Sequence, residues 1–302
     1  MSILLLGADG QVGFELHRAF APLDAIEACT ISGSLPDGTA CTRIDFSEVG
    51  SMARLIAQRR PSLVLNAVAH TQVDRAEDEP ELAWRINAGA VDELAMACAR
   101  IDAKLVHYST DYVFGGSGDT PWREDDPTAP QGVYARSKFA GEEAVRASGC
   151  RHLLLRTAWV YGARGHNFLR TMLRVGRDRD EVAVVSDQIG SPTPARWLAA
   201  ATALAHVRKP EASGTWHLVA DGRCSWHDFA EAIFSQALAA GLLPRRPVVR
   251  AIASSEYPAK AVRPAFSCLD TSRLATDFGL RFPDWREGLA HVLGELAAQR
   301  AA

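Results

Sequence analysis

Three things are scarce in this chain, and each scarcity removes a class of function. There is no Cys-x-x-Cys pair: Cys29, Cys41, Cys98, Cys150, Cys224 and Cys268 are scattered along 302 residues. Zinc ribbons, dithiol redox motifs and small disulfide frameworks all need closer or paired spacing. The expectation is a set of reduced, mostly buried thiols in a cytoplasmic protein, with no metal ligands assigned. Long apolar runs are missing as well. The N-terminal stretch Ile3–Leu6 is too short for a signal-peptide core and has no basic leader. No run approaches the roughly 20 residues that span a bilayer, so no membrane is expected. Charge of one sign is also lacking, with 33 Lys and Arg against 36 Asp and Glu and a net charge of -3. That balance gives no reason to expect nucleic acid or an anionic surface as partner.

What is present is a rhythm of short apolar runs and longer amphipathic ones. Ile3–Leu6, Leu63–Ala67 and Lys104–Ser109 read as buried strands, with weaker ones at Ala25–Ile31 and ending near Asp45. Gln11–Phe20, Val49–Gln58 and Leu82–Ile101 carry apolar residues at helical spacing between them. Such alternation predicts an α/β fold, a Rossmann-type doubly wound parallel sheet. The second half has strand candidates at Leu153–Thr157, Val182–Val185 and Thr215–Val219. Its helix candidates are Asn167–Val175, Ala195–Val207, Trp226–Leu238 and Trp285–Ala297, with many prolines between. The expected division is a mainly dinucleotide-binding domain over 1–160 and a smaller C-terminal substrate-binding lobe over 161–302. The chain is expected to cross back to the first domain.

Directly after the first strand stands Gly7-Ala8-Asp9-Gly10-Gln11-Val12-Gly13. Glycines at this spacing allow a tight turn, close approach of backbone N–H groups to a pyrophosphate, and close helix–strand packing. The helix N-terminus adds partial positive charge. A carboxylate about 20 residues further on would bind a free ribose hydroxyl. Thr30-Ile31-Ser32-Gly33-Ser34 has none, which points to NADPH, with Arg18 as a base for its 2′-phosphate. NADH is left open.

Tyr134 and Lys138 stand four residues apart at the start of a helix running to Ser148, on one face. Reducing a ketone requires a proton donor as hydride arrives. A free phenol has a pKa of about 10, so easy transfer near neutrality needs about 4 kcal/mol of preferential phenolate stabilisation. An adjacent ammonium could supply part of it. Thr110 ends the strand His107–Thr110, at the sheet edge where open α/β folds bind ligands, and can hydrogen-bond the substrate oxygen.

These residues, in this order, resemble the extended short-chain dehydrogenase/reductase family, and the resemblance covers nearly the whole chain. It is carried by the glycine loop, Asn66 to Asp74, Ser109 to Phe114, Val133 to Glu142, Leu155 to Gly162 and Asp187 to Thr193. The last two segments are similar to the branch that reduces the C4 ketone of dTDP-4-dehydro-β-L-rhamnose to dTDP-β-L-rhamnose, for bacterial surface polysaccharides. The resemblance implies that Gly7, Gly10, Gln11, Val12 and Gly13 meet the pyrophosphate. Asp45 and Phe46 would lie by the adenine, and Ala69, His70 and Thr71 would line the cofactor. It also implies Tyr134 as proton donor, Lys138 on the ribose, Thr110 and Asp111 on the sugar, and Trp159 packed against it. Some relatives form a magnesium-linked homodimer and Glu15 matches a residue used there, so Mg²⁺ and a homodimer are left open.

His107 and Trp216 are read as core residues, and Asp74 and Asn87 as caps or hydrogen-bond partners. Two other readings share the fold. One is a sugar-nucleotide epimerase or 4,6-dehydratase of the same superfamily: dehydratases place a glutamate after Thr-Asp, where this chain has Tyr112, and epimerases need the same Tyr–Lys pair but retain their cofactor tightly. A non-catalytic regulatory subunit would have no use for Thr110, Tyr134 and Lys138 together.

Overall fold

The computed structural model describes residues 2–301. Its centre is a sheet of seven parallel strands. Six are β1 (Ile3–Leu6), β2 (Ile26–Thr30), β3 (Thr42–Arg43), β4 (Leu63–Asn66), β5 (Lys104–Thr110) and β6 (His152–Thr157). The seventh, Gly214–His217, lies outside β6, and the order runs from it through β6, β5, β4, β1 and β2 to β3. β1 is buried on both faces, which is why it reads as an unbroken apolar run. Ile3 and Leu5 pack with Leu16 and Phe20 of helix α1 (Gln11–Phe20) on one face. Leu4 and Leu6 pack on the other with Met52 and Leu55 of α2 (Ser51–Arg59). A period of two along one strand thus feeds two cores.

The expected helix over Leu82–Ile101 is broken. The segment runs as α3 (Val73–Asp78), α4 (Pro80–Trp84), a π-helical turn over Arg85–Gly89, and α5 (Ala90–Arg100). The π turn buries Asn87, and its side-chain contacts give the reason below. Tyr134 and Lys138 lie on α6 (Gly132–Ala147).

A separate core contains Tyr161, Leu169, Val184, Phe229, Phe234, Trp285 and Leu289. It joins helices Phe168–Asp178, Trp226–Ala239 and Trp285–Ala301 to a parallel strand pair, Glu181–Val185 with Val248–Ile252. The chain returns to the main sheet between these pieces. Helix Ala195–Arg208 packs on α1 through Leu198 and Ala199, and Gly214–His217 extends the sheet beside β6. Among the described residues, no helix is long and apolar enough to cross a membrane.

Candidate active site

Because every strand of the main sheet points the same way, the segments after β1, β4, β5 and β6 emerge at one edge. The strand order reverses between β1 and β4, where open α/β sheets leave a crevice. The glycine loop occupies that point. A Cβ on Gly13 would stand 1.9 Å from the Gly7 carbonyl oxygen, and Gly7 itself has φ +79°. Backbone therefore lies on backbone, and α1 begins with amide groups that no side chain caps. The Gln11 side chain is engaged elsewhere: its Oε1 accepts from Asn167 Nδ2 at 2.7 Å and its Nε2 donates to the His166 carbonyl at 3.3 Å. Gln11 braces the loop against segment 162–167.

Thr30 is buried at the end of β2, where its hydroxyl oxygen accepts from the amides of Gly33 and Ser34 at 3.0 and 3.1 Å. Ser32 and Ser34 stand around it in a hydroxyl-lined turn. Arg18 is not near. It lies in the last turn of α1, about 12 Å along the axis from Gly10 at 1.5 Å per residue, and pairs with Glu15 at 3.4 Å. The base beside the turn is Arg43, which pairs with Thr30 in the sheet and donates to the Ile31 carbonyl at 3.2 Å. Closeness to the loop in sequence suggested Arg18; the helix carries it away.

Asp45 accepts from the Ser47 amide and hydroxyl at 2.7 and 2.6 Å, which holds its carboxyl below the usual range. Phe46 is buried among Met52, Leu55 and Val64, so its ring belongs to the core. Ala69, His70 and Thr71 follow β4 and are held by Asn87. That amide accepts from the His70 N–H at 2.8 Å and donates to the His70 carbonyl at 3.1 Å and to Ser137 at 3.0 Å. Asn87 thus fixes this segment to α6, one turn from Tyr134. The bulge of the π turn delivers it, and helical periodicity gave no sign of it.

On the β5 side, Thr110 and Asp111 are both buried, and the Thr110 hydroxyl and Asp111 Oδ1 share a hydrogen bond of 3.0 Å. Tyr134 faces both. Burial pushes its phenol up to about 12, partly offset by hydrogen bonding to Thr110 and reinforced by the Asp111 charge. Lys138 is 3% exposed, and its ammonium donates to the Tyr108 carbonyl at 2.7 Å rather than to Tyr134. Burial lowers it to about 8, against the pull of Glu142. The acidification expected of Tyr134 is therefore not made by the chain's own charges. Further along α6, Glu142 forms a buried two-point pair with Arg156 of β6 at 2.9 and 2.8 Å, pinning the helix to the sheet.

Trp159 has φ +47°, a strained value for a bulky residue. Its ring stacks on Trp226 with centroids 3.5 Å apart, while a Cβ on Gly190 would lie 2.4 Å from it. Sequence reasoning missed Trp226, and also Arg263, which pairs with Asp74 at 2.6 and 3.1 Å. Asp74 also accepts from the amides of Lys260 and Ala261 at 3.0 and 3.1 Å. It clasps the segment after β4 to a stretch 186 residues away in the chain.

Glu15 pairs with Arg18 at 3.4 Å. Burial raises its carboxyl; Arg18, Arg196 and Arg164 act on it, with Glu295 the other carboxylate. Among the described residues, no group of three or more His, Cys, Asp or Glu could hold a metal ion. No step below uses magnesium.

A glycine loop at the switch point, with Thr110, Tyr134 and Lys138 two strands along the same edge, defines a reductase of the short-chain dehydrogenase/reductase class. The comparisons narrow this. The chain belongs to the RmlD substrate binding domain family, whose model matches residues 1–298. It is 44% identical over 299 residues to the dTDP-4-dehydrorhamnose reductases of Shigella flexneri and Escherichia coli strain K12, covering 98% of both chains in each case. The solved dTDP-4-dehydrorhamnose reductase of Clostridium acetobutylicum superposes with TM-score 0.87 at 34% identity, over 98% of this chain and 99% of that one. The Bacillus anthracis enzyme, solved in complex with NADP, gives 0.87 at 33% identity over 97% and 99%.

Proposed function

We propose that this protein catalyses NADPH-dependent reduction of the C4 ketone of dTDP-4-dehydro-β-L-rhamnose, giving dTDP-β-L-rhamnose. The observation that carries the reading is the convergence of Tyr134, Thr110 and Lys138 at the sheet edge that bears the glycine loop. Similarity to reductases named for this substrate over nearly the full chain supplies the substrate class.

The backbone of Gly7, Gly10, Gln11, Val12 and Gly13 would hold the pyrophosphate, with Asp45 and Phe46 at the adenine end. Ala69, His70 and Thr71 would line the nicotinamide end, and Lys138 the ribose. The bound cofactor supplies hydride and, once oxidised, a positive ring. Tyr134 gives its phenolic proton to the carbonyl oxygen as the carbon is reduced, and Thr110 hydrogen-bonds that oxygen. Lys138 is poised to reach the ribose, since among the described residues its buried ammonium is bonded to one carbonyl acceptor, Tyr108, and an ammonium has three donors. Trp159 and Asp111 would contact the sugar. The Ser32 and Ser34 hydroxyls with Arg43 favour NADPH, because they offer donors and a positive charge to a 2′-phosphate. The two lobes expected from sequence, near 1–160 and 161–302, would then hold cofactor and sugar respectively.

The test is a coupled assay. The 4-keto sugar nucleotide is generated in situ, NADPH and NADH oxidation are followed separately, and the sugar product is identified. In Tyr134→Phe, kcat should fall by about 10²–10⁴, the range for losing a positioned acid, while NADPH still binds. A wild-type kcat in that variant contradicts the role. Arg43→Glu should raise KM for NADPH and leave that for NADH nearly unchanged.

A further inference from the structure

Thr110 has one proton and more than one neighbour that could take it. Its oxygen accepts from the Tyr112 amide at 3.2 Å, and it stands 3.0 Å from Asp111 Oδ1, with the Tyr134 hydroxyl also within its reach. If Asp111 is a carboxylate, Thr110 must spend its proton there, because a carboxylate only accepts. The hydroxyl then offers a substrate oxygen nothing but lone pairs. If Asp111 carries its own proton, the carboxylic acid donates to Thr110 and frees the threonine proton to point into the cleft.

We infer that Asp111 acts as a positioning residue in its protonated form, orienting the Thr110 hydroxyl as a donor to the substrate's carbonyl oxygen. This rests on the reduction proposed above. The surroundings favour the neutral acid. Asp111 is 2% exposed and, among the described residues, its Oδ2 has no hydrogen-bond partner within 3.5 Å. From its own segment it is faced by Thr110 and Tyr112, from α6 by Tyr134, and from the strand-like segment opposite by Ser267 and Cys268. All are neutral groups near pH 7. No Lys or Arg is among the groups that move its carboxyl most; Arg263 acts on the neighbouring Tyr112. An isolated buried carboxylate is costly, and such a group takes up a proton instead. The same burial pushes the Asp111 carboxyl up to about 7, against smaller lowering from Ser267 and Thr110.

The sign follows. As pH rises through about 7, Asp111 ionises, Thr110 turns its proton inward, and reduction slows. Asp111→Asn is the decisive variant, because its amide is the shape of the neutral acid and donates at every pH. Wild-type kcat/KM for the keto sugar should fall up to about tenfold per pH unit above 7, as for any single ionisation. The kcat/KM of Asp111→Asn, at whatever level the altered sugar contact sets, should vary by no more than about threefold between pH 6.5 and 9. A second readout is independent of turnover. Between pH 4 and 7 the native state holds a proton that the unfolded chain has lost, so wild-type stability falls with rising pH. The Tm of Asp111→Asn should therefore gain on wild type across that window and run parallel above it. A wild-type fall that persists in Asp111→Asn, a wild type with no fall, or an amide variant that does not fold would each overturn the inference. If the wild type reduces no keto sugar, the functional reading fails, and the Tm comparison still decides whether Asp111 is protonated.

Discussion

At the β1 end of the site, Gly13 lies so close to the Gly7 carbonyl that even a methyl group has no room. Two strands along, at the β5 end, the helix bearing Tyr134 is held by a buried ion pair, Glu142 with Arg156, and by Lys138 on the Tyr108 carbonyl. The first end is fixed by volume and the second by charge and hydrogen bonding. The difference teaches that one cleft can fail in two separable ways. Added bulk should disable the glycine loop and leave the Tyr134 end intact, whereas altered charge should do the reverse.

The largest expected effect is at the charged end. Glu142→Gln leaves the Arg156 guanidinium buried without its partner, which costs about 3–5 kcal/mol, to be read as a drop in the urea midpoint. NADPH affinity, measured on the fraction still folded, should change little; a cofactor loss matching the stability loss would break the contrast. Next comes Gly13→Ala. Overpacking costs about 1–3 kcal/mol, and pushing α1 off the loop should weaken NADPH binding on the order of 100-fold in a fluorescence titration. Retained affinity would show that the loop has slack. The smallest effect belongs to Asp74→Ala. Its pair with Arg263 is partly exposed and such pairs are worth up to about 1 kcal/mol, so Tm should hardly move. The Lys260 and Ala261 amides lose their acceptor and should exchange hydrogen faster, and unchanged exchange would mean that Asp74 is not what holds that segment.

Much of this was legible in the chain because parallel strands buried on both faces are written as continuous apolar runs. β1, β4, β5 and β6, the glycine loop, and the placing of Tyr134 and Lys138 on one helix all follow from local spacing. β3 is two residues long, and the sequence marks it only as a weak element ending near Asp45. The π turn at Asn87 exists because one amide ties His70 to Ser137, a tertiary demand that looks from the sequence like uninterrupted helix. Arg18 was assigned by its nearness to the loop, although a helix moves a residue away as fast as it adds turns. Trp226 and Arg263 reach the site from segments 67 and 189 residues beyond Trp159 and Asp74 in the numbering, distances across which spacing carries no signal. The Tyr134–Lys138 pair shows a subtler limit. Their shared helical face was readable, but not that Lys138 would turn to a backbone carbonyl.

Cys41 differs from the other five thiols, which are all buried: it is only partly covered, and it sits 3.4 Å from the Thr30 hydroxyl. A maleimide dye should therefore find one place to react, beside the serine turn at the end of β2. The wild-type chain comes with its own attachment point for a fluorophore, and dinucleotide arrival could be timed by stopped-flow without engineering a single residue.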